Sequence, residues 1–169
     1  LCGMRANPVC SLRLHDCRAP RENLLGKLGA GLGAGLAGLD AGRIGIASQA
    51  VGIASAAFEA AVSYARQRRQ FGVPIARHQA IQMAIADMAT ELDAARLLVY
   101  KAAWRKDQGG NFGQAAAMAK LYASETASRV TDRAVQVHGG YGYSKSYHVE
   151  RYYRDARVTR IYEGTAEVH

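Results

Sequence analysis

The chain has 169 residues, enough for one domain with a substantial core, and its composition is globular: 49% hydrophobic, rich in Ala and Gly, with three Pro. No run of about twenty apolar residues exists, which argues against a membrane span, and three Cys without a C-x-x-C pair argue against a disulfide framework or a zinc site. The net charge of +8 suits an anionic ligand or an acidic partner; the Arg residues form no single long tract, which disfavours nucleic acid.

Leu1 opens the chain without a signal or transit pattern, and the missing initiator Met points to processing or to a piece of a longer protein. Residues 1–28 differ from the rest of the chain. Val9 to Leu14 alternates in part, Asn7-Pro8 marks a turn and Ala19-Pro20 breaks the pattern. One or two short strands are expected, and strands this short need partners.

From about Leu32 the period becomes helical. Ile44, Ala47, Val51, Ala54, Phe58, Ala61 and Ala65 step by threes and fours, placing one face of a long helix inward until about Gln70. Gly33-Ala34-Gly35-Leu36-Ala37-Gly38 matches G-x-G-x-x-G, but no strand leads into it, so it reads as a loosely wound helix start or a place of close packing. Phe71-Gly72-Val73-Pro74 punctuates the chain. A second helix is expected from about Arg77, with Ile81, Ile85, Met88, Leu92, Ala95, Val99 and Ala102 as its seam, ending at Gln108-Gly109-Gly110-Asn111. The third, from Gly113 to His138, carries Ala116, Ala119, Ala123, Ala127, Val130, Ala134 and Val137 inward. A shorter helix is expected around Ser146 to Asp155, and another begins at Thr165. The fold class is all-α, an antiparallel bundle at residues 29–169, preceded by a β remnant and linker at 1–28.

Four motifs stand apart from these seams. Asp40-Ala41-Gly42-Arg43 begins the first long helix, where Arg43 can bind a phosphate or position a carboxylate. Arg68 closes that helix beside a loop, within reach of an anion. Gln136-Val137-His138-Gly139-Gly140 ends a helix with one glycine more than a C-cap needs, suggesting close approach of a ligand. Ile161-Tyr162-Glu163-Gly164-Thr165-Ala166-Glu167 places a carboxylate before a glycine and an N-cap residue, where a ligand can come close and a carboxylate can act as a base.

The stretches Gly42 to Ala47, Arg68 to Ile75, Gln136 to Gly142, Arg154-Asp155-Ala156-Arg157 and Ile161 to Glu167 resemble the C-terminal part of acyl-CoA dehydrogenases, most nearly the short-chain, butyryl type, in order and in register along the whole chain. The resemblance implies that residues 1–28 end a β-domain otherwise missing. It implies FAD as cofactor and oxidation of an acyl-CoA thioester to a trans-2-enoyl thioester, the chemistry of fatty acid β-oxidation. Glu163 would be the base, its backbone N–H aimed at the thioester carbonyl. Gly42 stands where some relatives carry the base, which leaves Glu163 as the sole candidate.

The resemblance further assigns FAD contacts to Arg68, Gln79, Gln136, Val137, His138, Gly139, Gly140, Thr165, Ala166 and Glu167, with Arg68 and Gln79 reaching from a neighbouring subunit. Acyl-CoA contacts fall on Asp40, Ala41, Gly42, Arg43 and Gly164. A homotetramer and an electron-transferring flavoprotein partner are implied, in the cytoplasm of a bacterium or the mitochondrial matrix of a eukaryote. Ser146 and Ala166 depart from residues usual in the family. The alternatives are a related flavoenzyme such as an acyl-CoA oxidase, and a non-catalytic helical oligomerisation module.

Overall fold

The computed structural model describes residues 1–169. Its framework is three long helices, α1 (Gly31–Gln67), α2 (Gln79–Asp107) and α3 (Gly113–His138), and a short α4 (Val149–Ala156). The first two are joined by a minimal antiparallel hairpin, β1 (Arg69–Gln70) and β2 (Val73–Pro74), in which Arg69 faces Pro74 and Gln70 faces Val73. Its two-residue turn, Phe71 and Gly72, has φ of 53° and 82°. Positive φ at both turn residues suits the right-handed twist of the flanking strands. What reads in the sequence as punctuation is therefore a paired turn.

Helix α3 lies between its neighbours and packs most extensively on α1, then on α2. The α1 side of that contact is Ile44 with Ala47, Ala50, Ala54, Ala57, Ala61 and Ala65, all buried. Side chains this small let the two backbones approach closely, and the α3 stripe from Ala116 to Val137 is buried as its spacing predicts. Val51 and Phe58 are only half-buried, against expectation, because Ala50 and Ala57 take the innermost places. Ile81 and Ile85 likewise flank the core, whereas Met88, Leu92, Ala95, Val99 and Ala102 lie within it. By length and composition α1 could cross a bilayer, yet its inner stripe is the core of this bundle. Glu91 on α2 accepts from Arg129 Nε at 2.6 Å and Arg133 Nη1 at 3.0 Å on α3, fixing the relative register of the two helices.

Beyond α3 the chain turns tightly through a 3-10 segment, Gly139–Tyr143. A Cβ built at Gly142 would lie 2.5 Å from the Val135 carbonyl oxygen and 2.9 Å from His138 Cβ. Both obstacles belong to helix α3 and cannot swing aside. Gly142→Ala is therefore expected to destabilise the fold by roughly 1–3 kcal/mol, measured by thermal melting.

Residues 1–28 form no strand; their only regular structure is one 3-10 turn, Arg21–Asn23. A strand needs a neighbour to take its ladder hydrogen bonds, and this chain offers none there. The first four residues are nonetheless anchored to α4. Met4 N–H donates to Asp155 Oδ1 at 2.6 Å, and Arg154 Nη1 donates to the Cys2 carbonyl at 2.8 Å. The start of α1 is equally bare: Gly31, Gly33, Gly35 and Gly38 face open space, so the glycine-rich stretch is a helix start and packs against nothing. At the other end, Thr165 leads only into a 3-10 turn, Ala166–Val168, and its side chain makes no capping bond.

Candidate active site

Two groups of the residues singled out in the sequence come together, at opposite ends of the bundle. The first surrounds Glu163. The chain leaves a 3-10 turn, Arg157–Arg160, and reverses at Glu163 and Gly164, with φ of 56° and 94°. A left-handed conformation is uncommon for a residue with a side chain. It turns the Glu163 carboxylate back against α1, where a Cβ at Gly42 would lie 2.6 Å from Oε2. Gly42 thus has a purpose beyond its inability to be a base: it leaves the space the carboxylate occupies. Glu163 Oε2 is buried and has no hydrogen-bond partner. A buried acceptor left without a donor is rare enough to require an explanation, and a substrate that supplies the missing contact is one.

Around this carboxylate the charges are ordered. Arg43 Nη1 donates to Asp40 Oδ1 at 2.8 Å, one helical turn earlier on α1. Arg43 Nε is buried without a partner, and Nη2 reaches toward Gly164. Asp40 lies beside Gly113, at the start of α3. Tyr162, next to Glu163, donates its hydroxyl to Gln49 Oε1 on α1. Burial raises the Tyr162 phenol above its ordinary range, so it stays a neutral donor.

Lys120 also belongs here, although no motif in the sequence selects it. It is fully buried on α3, and its Nζ donates to the Gly164 carbonyl. Burial pulls its pKa below the ordinary lysine value and the Arg43 charge adds to this, while Glu163 and Glu167 oppose it. A signal existed: Lys120 stands four residues after Ala116 and three before Ala123, on the inward stripe. His169 approaches the same carbonyl, with Nε2 at 3.2 Å.

The second group lines an open cavity of about 470 Å³ between the end of α1 and the end of α3. Arg68, Gln136, Val137, His138, Gly139 and Gly140 all border it, with Tyr64 and Tyr141. His138 is buried, stacked on Tyr64 with ring centroids 4.2 Å apart, and its Nδ1 donates to the Ala134 carbonyl at 2.8 Å. Burial holds its pKa below the usual imidazole range, so the ring is neutral near pH 7. The Arg68 guanidinium lies over the Tyr141 ring, 5.3 Å from its centroid, and pairs with no carboxylate. A cation without a counter-ion, beside the exposed backbone of two glycines, suits a phosphate-bearing ligand.

The remaining expected contacts are placed less tightly. Gln79 is exposed at the first turn of α2 and does not line this cavity. Thr165 and Glu167 are exposed, and Ala166 half-buried, just beyond Glu163. Ala41 is half-buried on α1 beside Gly42. Gly42 and Arg68, both tied to α1, stand about 40 Å apart at the rise of an α-helix. Glu163 and the Arg68 cavity of one chain therefore face different regions of space.

Comparison with known proteins bears on the family. The family model for the acyl-CoA dehydrogenase C-terminal domain matches residues 29–169. An acryloyl-CoA reductase (NADH) of Anaerotignum propionicum is 52% identical over 167 residues, 99% of this chain and 42% of the relative. The solved butyryl-CoA dehydrogenase of Megasphaera elsdenii superposes with a TM-score of 0.87 at 54% identity, covering 88% of this chain and 39% of that one. A chain from the structural study of the electron-transferring flavoprotein of Acidaminococcus fermentans, concerned with flavin-based electron bifurcation, superposes with a TM-score of 0.90 at 54% identity, covering 91% and 40%. The chain thus spans about two fifths of the proteins it matches. A match over nearly the whole helical bundle, at this identity, leaves one assignment: the chain belongs to the acyl-CoA dehydrogenase family.

Proposed function

We propose that this chain is the C-terminal part of an FAD-dependent acyl-CoA dehydrogenase acting on short-chain acyl-CoA thioesters. The observation that carries the reading is the Glu163 carboxylate, set against Gly42 with its Oε2 buried and unpartnered and Arg43 close by on α1. In this reading Glu163 Oε2 takes the proton from the α-carbon of the thioester, and a double bond forms as hydride leaves the β-carbon. The Glu163 backbone N–H polarises the thioester carbonyl, which acidifies the α-proton. Asp40, Ala41, Gly42, Arg43 and Gly164 form the wall against which the substrate lies. Acceptance of the β-hydride is the chemistry that FAD supplies when bound.

The residues at the Arg68 cavity fit such a cofactor. Arg68 is free to meet a phosphate, and Gly139 and Gly140 leave backbone open beside it. The distance of about 40 Å along α1 means that one chain cannot bring both Arg68 and Glu163 to the same flavin. Two copies can, each lending its Arg68 cavity to the other's base. A homotetramer supplies that arrangement, and the outward face of α2 supports it: Leu97, Tyr100 and Trp104 succeed one another at helical spacing and are each more than 60% exposed. Trp104→Glu in the intact protein is expected to shift the assembly toward smaller species and to lower its FAD content together, as read by sedimentation and flavin absorbance.

Residues 1–28 would close the β-domain of the intact protein, pairing there with strands outside this chain. An electron-transferring flavoprotein is the proposed acceptor of the electrons, supported by the Acidaminococcus fermentans neighbour. The setting would be bacterial cytoplasm or mitochondrial matrix. The likeness to an acryloyl-CoA reductase favours one second reading, the same site run toward saturation of an enoyl thioester. The test is anaerobic mixing of the intact holoprotein with butyryl-CoA and, after photoreduction, with crotonyl-CoA. Bleaching of the flavin band by the first supports dehydrogenation, and fast reoxidation by the second with slow bleaching by the first supports the reductase. No response to either would sink both.

A further inference from the structure

We infer that Lys120 is a positioning residue for the reaction, holding the peptide next to the base by donating its Nζ to the Gly164 carbonyl. The inference rests on Glu163 being the base. Lys120 is fully buried on the inward face of α3, among Ala116, Ala119 and Ala123. No carboxylate lies within ion-pair distance of it, so the cation is not there to complete a salt bridge. Burying an ammonium is costly unless its protons find acceptors. Its hydrogen bond goes to one backbone oxygen, in the turn that carries Glu163.

That turn has little else to hold it. Glu163 is in a left-handed conformation that its side chain disfavours, at φ 56°. The carboxylate cannot anchor itself, since Oε2 has no partner. The segment after it is one 3-10 turn. Tyr162 fixes the approach through Gln49 on α1, and Lys120 fixes the exit from α3. His169 Nε2 is a further contact to the same carbonyl, at 3.2 Å. With a long apolar side chain at position 120, the carbonyl would be buried short of its main donor and the peptide free to rotate, carrying the carboxylate away from Gly42. A misplaced base slows proton abstraction specifically, because the rate depends on reach and alignment.

The experiment is Lys120→Met in the intact holoprotein, with flavin reduction by butyryl-CoA monitored by stopped flow. The expected result is a fall of at least tenfold in the limiting reduction rate, little change in apparent substrate affinity, unchanged FAD content, and a larger isotope effect with α-deuterated substrate. Lys120→Gln, which keeps an N–H donor and removes the charge, is expected to recover part of the rate. In a Glu163→Gln background, Lys120→Met should cost no further activity, since it acts through that side chain. A wild-type rate and isotope effect in Lys120→Met, with only a lowered melting temperature, would overturn the inference and make Lys120 a structural residue. Failure of both position-120 variants to fold would do the same. Full activity of Glu163→Gln alone would instead remove the assignment of the base, a distinct outcome.

Discussion

Glu163→Gln in the intact protein is expected to slow flavin reduction by butyryl-CoA by roughly a thousandfold, within the range that loss of a general base produces. Glutamine keeps the size and shape of the side chain but cannot accept the α-proton. Because Glu163 Oε2 has no hydrogen-bond partner, the change removes no internal bond from the protein. Melting temperature and FAD content should therefore stay as in the wild type, so that a lost rate reports chemistry and not folding. Anaerobic stopped-flow spectroscopy of the flavin band measures the rate directly. Full activity would return Glu163 to a structural role and favour the non-catalytic assembly module.

The second large effect separates stability from activity at a position with no chemistry of its own. Gly42→Ala adds one methyl group in the interior of α1, 2.6 Å from Glu163 Oε2. The obstacle is the far end of a flexible side chain, so the fold can yield by moving the carboxylate. Alanine is favoured over glycine within a helix by about 1 kcal/mol. The variant is thus expected to melt at or slightly above the wild-type temperature. Its flavin reduction should nevertheless fall by roughly tenfold to a hundredfold, because displacement by about an ångström is costly to a reacting geometry. Calorimetry and stopped-flow measurements on the same preparation decide it. An unaltered rate would mean that the carboxylate has another productive position.

Much of the bundle is legible in the sequence because helical burial is periodic. The stripe from Ala116 to Val137 is buried at every position its spacing selects, and α3 spans the residues expected. Val51 and Phe58 are misplaced by that reasoning because period alone cannot tell which of two neighbouring residues faces the closer helix, and the tight α1–α3 contact admits only alanine there. The strand expected near Val9 to Leu14 fails for another reason. Alternation describes a face, but a strand exists only when a second chain segment takes its hydrogen bonds.

The order of helices, the inward stripe of α3 and the local motif around Glu163 come from the amino-acid sequence by itself, since each depends on residues a few positions apart. Lys120 beneath Gly164, Gly42 against the carboxylate, and the gathering of Arg68 with Gln136 to Gly140 at one cavity were decided only by tertiary structure. These contacts join positions on different helices, and their distances depend on how closely the helices pack and in what register. A one-dimensional pattern carries the direction each side chain takes from its own helix, but not what it meets on arrival.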